Sequence, residues 1–193
     1  MRHESLLDVK NSFGEPLEGG MTVVFGVHGG AGLMLDLVAR LSLHGQVYLL
    51  DCGNRSNMYR VARTLRFLTN DPVAVMRNIR LSRAFTCYQV AALLEKLPAG
   101  GRAPILVLDL LSTFMDESVQ AAESEALFDL ALQRLGAVGL AAPVVVSAKP
   151  LLSLSAPRFG LLEQLKAQAS RVWEESALPS PRPSSMQLPL LAD

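Results

Sequence analysis

Residues 23–35, Val-Val-Phe-Gly-Val-His-Gly-Gly-Ala-Gly-Leu-Met-Leu, set four glycines between an apolar run and a helix-like segment: Gly26, Gly29, Gly30 and Gly32. A strand, a glycine turn and a helix start form a cradle for phosphate, because backbone N–H groups and the positive end of the helix dipole converge there. The charged half of that chemistry is missing. In the phosphate-binding signature G-x-x-x-x-G-K-[S/T], the lysine neutralises the phosphates and the hydroxyl holds magnesium. Counted from Gly26, the last three positions fall on Ala31, Gly32 and Leu33; one residue later they fall on Gly32, Leu33 and Met34. Neither register restores a lysine or a hydroxyl.

Two other chemistries use such a loop. Gly26, Gly30 and Gly32 spell G-x-x-x-G-x-G, as in short-chain dehydrogenases, and Asp51 closes the next apolar run at ribose-binding distance. That chemistry also needs Tyr-x-x-x-Lys, whereas Tyr48, Tyr59 and Tyr88 are followed four residues on by Cys52, Arg63 and Ala92. His-Gly-Gly as an esterase oxyanion loop requires a Gly-x-Ser-x-Gly elbow, which the chain lacks. The remaining reading is structural: glycines that let the chain turn tightly and pack close to a sheet.

Further candidates lie downstream. Asp109 ends a strongly apolar run and would hold a magnesium-bound water or bond nearby amides. Arg55, Arg60, Arg63, Arg66 and Arg77 form a basic cluster, with Arg60, Arg63 and Arg66 on one broad helix face; it reads as a phosphate contact or as a solvated surface. Cys52 and Cys87 have no metal-type spacing, and Cys52, with no paired base, suits a small buried apolar role.

These residues must be positioned by alternating strands and helices. Apolar runs at 21–27, 45–51, 103–111 and 142–148 read as buried parallel strands, with a short edge-like strand at 78–82 and another candidate at 171–175. Helices are expected near 33–41, 58–67, 87–97, 117–135 and 159–170, plus a short one capped by Asn70 or Asp71 with Pro72 in its first turn. Thr86 is a further cap. Such alternation predicts an α/β fold, a parallel sheet sandwiched by helices, with the site at the carboxyl ends of the strands: 28–32, 51–55, 109–112 and 147–149. The chain divides into an N-terminal extension at 1–20, a core at 21–175, and a Pro/Ser-rich linker with an apolar segment at 176–193.

The chain of 193 residues is half hydrophobic, and its 18 Lys+Arg balance 18 Asp+Glu. That balance excludes the global basic excess of an autonomous nucleic-acid binder but not a local patch. No apolar stretch suits a signal peptide or membrane span, so the expectation is a cytoplasmic protein without membrane contact.

Asn78, Arg83, Ala84, Phe85 and Gln89, followed by Asp109 in Ile-Leu-Val-Leu-Asp and by Val-Val-Val-Ser-Ala-Lys-Pro at 144–150, resemble the RecA-type strand-exchange recombinases and their paralogues. The resemblance covers roughly residues 17–175. It implies a RecA-like P-loop ATPase core, with Asp109 as the Walker B aspartate and 144–150 as the sensor strand. Gly26, Gly29, Gly30, Gly32 and Asp109 would then be nucleotide-binding residues, and Arg55, Arg60 and Arg63 DNA contacts. The departures are that Asp51 is followed by Cys52 and Gly53 rather than a catalytic glutamate, and that Ala148 and Lys149 replace part of the sensor pair. The expectation is therefore a non-catalytic accessory or scaffold subunit in DNA repair or recombination. It would pair with itself or another RecA-like subunit and reach DNA through that partner. No cofactor is expected; ATP with magnesium would at most bind weakly. The alternative is a nucleotide-binding enzyme, an ATPase with an unorthodox loop or an NAD(P)-binding protein.

Overall fold

The computed structural model describes residues 20–26, 30–98, 100–149 and 160–174. The expected N-terminal extension at 1–20, apart from Gly20, and the C-terminal segment at 176–193, together with Val27, His28 and Gly29, lie outside them. Strands β1 (Gly20–Phe25), β2 (Val47–Asp51), β3 (Ile79–Arg83), β4 (Ile105–Leu108), β5 (Pro143–Ala148) and β6 (Arg171–Glu174) form one sheet in the order β3-β2-β4-β5-β1-β6. All its pairings are parallel. The helices are α1 (Ala31–Ser42), α2 (Met58–Leu68), α3 (Pro72–Met76), α4 (Cys87–Glu95), α5 (Ala121–Gly139) and α6 (Gly160–Gln168).

The central strands are buried on both faces, which is why they read as apolar runs without polar alternation. Ile105 and Val107 of β4 enter a core shared with α4, α5 and α6. Leu106 and Leu108 enter the opposite core, with α1, α2 and the buried Trp173. β5 divides in the same way, Val144 and Val146 to one side and Val145 to the other. The molecule is a three-layer α/β/α sandwich, as expected. From β1 the chain crosses over β5 and β4 by way of α1 to reach β2, and later fills the gap with β4 and β5. The strand order thus reverses beside β1, the point in an open α/β sheet at which ligand sites are generally found, at the carboxyl ends of the strands.

Several boundaries differ from expectation, two of them for a visible physical reason. The run 103–111 is strand only over Ile105–Leu108, because Asp109 takes left-handed backbone angles (φ 53°, ψ 51°) and the chain turns into a 3-10 segment, Leu110–Met115. The long helix starts at Ala121 rather than near 117, because the Asp116 carboxylate accepts from the Ser118 amide and hydroxyl and holds a local turn instead. The caps fall where chemistry puts them: Asp71 accepts from the Ala74 amide, and Thr86 from the Gln89 amide.

Candidate functional site

Register brings the strand-end residues together. Phe25 of β1 is level with Ala148 of β5, and the Gly26 amide donates to the Ala148 carbonyl, so Gly26 lies beside the end of β5. Val107 is level with Val146, and Asp51 with Leu108. Gly26, Asp51, Asp109 and Lys149 therefore share one rim of the sheet.

Gly30 caps α1 with left-handed angles (φ 55°), and its carbonyl accepts from the Met34 amide at 2.8 Å. A Cβ there would lie 2.5 Å from Val24 Cγ1. Glycine is required twice over, by the sign of φ and by close packing on β1. Gly32 is a second close approach: a Cβ on it would meet the Arg60 guanidinium at 3.2 Å. Arg60 is held there by Asp36, with Nε donating to Oδ1 at 3.2 Å and Nη2 to Oδ2 at 2.7 Å, while the Thr64 hydroxyl also donates to Asp36. This fork is a strong geometry for a guanidinium and fixes its plane.

Asp51 is spent within its own turn. Its side chain is 0% exposed. Oδ1 accepts from the Arg55 amide, and Oδ2 from the Ser56 amide and the Ser56 hydroxyl. Arg83 stands 3.6 Å from Oδ2 and donates to the Ser56 hydroxyl. Burial pushes the carboxyl up, but donation from the Ser56 hydroxyl and from the amides of Arg55, Ser56 and Gly53 outweighs it. The net effect holds Asp51 below its ordinary value. No carboxylate oxygen is left exposed for a ribose, so the dinucleotide reading loses its acidic residue as well as its catalytic pair.

Asp109 is paired within the chain through its carboxylate. Its carboxylate Oδ2 lies 2.9 Å from Lys149 Nζ, and its amide donates to the Ser147 hydroxyl. Gly53 abuts it, with a Cβ at that position falling 2.6 Å from Asp109 Oδ2. Magnesium carried by ATP would need this carboxylate together with a loop hydroxyl. The carboxylate holds an ammonium, and Leu33 stands in the hydroxyl slot, so these residues do not fit the metal. Cys52 sits between the acids; burial pushes its thiol far up, and the negative charges of Asp51 and Asp109 add to the shift. It is buried and unreactive in character.

The other expected residues separate. Asn78 donates to the Ser42 carbonyl and ties α1 to β3, and the Gln89 side chain accepts from the Phe85 amide. Of the expected DNA contacts, Arg60 and Arg63 lie exposed on α2, while Arg55 is partly buried beside Asp51. Sequence reasoning missed Lys149 as the partner of Asp109 and Arg83 as the partner of Asp51. The only available signal was that each follows an expected strand, the position at which parallel strands present side chains to a common rim.

Among the described residues, no group of three or more His, Cys, Asp or Glu could hold a metal, and no helix is long and apolar enough to cross a membrane. No protein-family model matches the chain, and no curated protein matches it.

Proposed function

We propose that this chain is a RecA-like paralogue with a nucleotide site that no longer hydrolyses ATP, acting as an accessory or scaffold subunit in DNA repair or recombination. The observation that carries this reading is the 2.9 Å pair between Lys149 and Asp109. Phosphoryl transfer to water needs a carboxylate free for the metal and a group to orient the attacking water. Here one strand-end carboxylate is bound to an internal ammonium and the other is closed over by its own turn. Strand ends that grip each other make a rigid surface rather than a reaction centre.

Support for a protein partner comes from the far side of the sheet. β3 ends the sheet among the described residues, and Val73, Phe85 and Tyr88 are exposed in the segments flanking it. An edge strand with apolar neighbours is a template for another chain. The partner would be a second RecA-like subunit, a copy of this chain or a different one, and DNA would be reached through it.

The test has two arms. ATP with magnesium is titrated calorimetrically and assayed for turnover, and the chain is sedimented with a RecA-type recombinase from the same source. Background turnover and a heteromeric or homomeric species are expected. Turnover on the order of 1 per second, an ordinary enzymatic rate, that Asp109→Asn abolishes would refute the non-catalytic half. A monomer that sediments independently of the recombinase would refute the scaffold half.

A further inference from the structure

We infer that the outer face of α5 is a docking surface for a basic amphipathic helix of another protein. It is a different surface from the β3 edge and does not rest on the state of the nucleotide site. The first observation is a helix that is apolar on both sides. Its inner face buries Phe128, Leu132 and Leu135 in the core shared with the sheet. Its outer face is not the charged surface that such a helix normally turns to water. Ala122, Ala126, Leu130, Gly136 and Ala137 are exposed there, with Leu140 at the C-cap. Leu130 is 57% and Leu140 89% exposed. Glu123, Asp129 and Gln133 are the polar members of this face. A helix apolar all round belongs in a buried setting, and among the described residues no segment covers this one.

The second observation is Gly136. It lies inside α5, its φ is not positive, and a Cβ on it would meet nothing within 4 Å. Nothing within the described chain calls for glycine there, and glycine weakens a helix interior relative to alanine. A second helix lying close across α5 supplies the reason. Small residues on the same exposed face, at Ala122, Ala126 and Ala137, permit that approach, and Leu130 and Leu140 stand beside them as anchors.

The third observation decides the occupant. Residues 103–133 hold no Lys or Arg and six of the 18 Asp+Glu, of which Asp116, Glu117, Glu123 and Asp129 are exposed. All four precede or lie in the amino-terminal half of α5, while 136–141 carry no charge. The complement is a helix with cations over one half of α5 and apolar side chains over the other. Cations are most favourable near the carboxyl end of a helix, so this partner carries its Lys and Arg there and runs antiparallel to α5. From Ala122 to Leu140 the helix rises about 27 Å, matching about five turns of partner. The acidic half turns away nucleic acid, and an extended peptide would find no free backbone groups along a helix. A second copy of this chain would offer α2, with Arg60, Arg63 and Arg66. Its exposed Tyr59 and Phe67, however, would hold the two helices apart where Gly136 calls for close approach.

The experiment is fluorescence anisotropy of the full chain with a labelled helical peptide of about 18 residues. The peptide carries Leu and Ala along one face and Lys in its carboxyl-terminal half; the control has Glu in place of each Lys. The lysine peptide should bind in the micromolar range, because one helix pair buries less than the roughly 1,200 Å² of stable complexes, and its affinity should fall with salt. Leu130→Lys should weaken binding by about tenfold or more. Phe67→Lys, which adds the same charge on the other side of the sheet, should leave it unchanged. Asp129→Asn should weaken binding and reduce its salt dependence. Gly136→Leu should raise the melting temperature of the free chain by about 2–4 °C and still weaken binding, whereas a merely sticky patch would bind more tightly. All substituted positions are exposed, and melts of each variant verify folding. Absence of binding at low salt overturns the inference. So does a glutamate peptide that binds as tightly, a Phe67→Lys variant weakened as much as Leu130→Lys, or a Gly136→Leu variant that binds like wild type. Self-association without peptide that Leu130→Lys abolishes would give the face to a second copy and overturn it too. None of these variants lies on β3, so the scaffold reading is judged separately, by sedimentation with the recombinase.

Discussion

Replacing Lys149 by methionine keeps the length of its stem and removes the ammonium that faces Asp109. The Asp109 side chain is 8% exposed and that of Lys149 34%, so the pair lies between the buried and surface limits. Breaking a fully buried pair costs about 3–5 kcal/mol, because the remaining charge is stranded. A surface pair contributes about 0–1 kcal/mol. With one partner sheltered and the other reachable by water, Lys149→Met should cost about 2 kcal/mol. Asp109→Asn is the matching change, since asparagine tolerates the left-handed backbone that Asp109 adopts. It should cost less, about 1 kcal/mol, because the freed ammonium turns outward to water. The double variant should fall well short of the sum, giving a coupling of about 1–2 kcal/mol by urea denaturation. Magnesium supplies an independent readout. Wild type should show no magnesium-dependent shift in melting temperature, whereas Lys149→Met alone should gain one as the cation takes the vacated place beside Asp109. Additivity within about 0.3 kcal/mol, or a wild-type protein already stabilised by magnesium, would refute the claim that Lys149 occupies the Asp109 carboxylate.

Asp51, held below its ordinary value, contributes stability that is complete above the unfolded carboxylate value, near 3.8, and is lost as pH falls through the lower folded value. Asp51→Asn should therefore be destabilised by about 2 kcal/mol at pH 7, with the gap to wild type narrowing below pH 3.8; a gap constant from neutral to acid would contradict the hydrogen-bond account. Cys52 and Cys87 are both buried, and burial raises both thiols, so neither should react with a disulfide reagent until the protein unfolds. Stoichiometric labelling of the native chain would show that the rim around Cys52 is open.

How much of this was legible beforehand follows from what each feature depends on. The strands were readable because burial on both faces forces continuous apolar runs, and the caps at Asp71 and Thr86 because capping is local. Asp109 as a strand end was readable; its partner was not. The Asp109–Lys149 contact exists only because β5 lies beside β4, a matter of sheet order that no local pattern records. The arginine cluster was seen as one set, yet contacts in the fold divide it: Arg60 is claimed by Asp36 of another helix, while Arg55 is partly buried beside Asp51. No local pattern marks Gly53 either. Its function is to let the β2 turn press against Asp109, a contact between strands.

The same dependence answers why the glycine loop has no lysine. Counted from Gly26, the lysine slot is position 32, and the Arg60 guanidinium lies where a side chain there would begin, 3.2 Å from the Cβ position. A lysine at 32 would have to displace a guanidinium already forked onto Asp36, and it would add a like charge beside it. Positive charge at this rim is supplied from elsewhere, by Arg60 over the first turn of α1 and by Lys149 at the end of β5. Each of these cations already has its own carboxylate. A phosphate arriving at the loop would have to compete with Asp36 for one and with Asp109 for the other. On the proposed reading, that competition is what would weaken phosphate binding at the loop. The charges are present, but they neutralise one another and hold the fold, where a working cradle would keep them for the ligand.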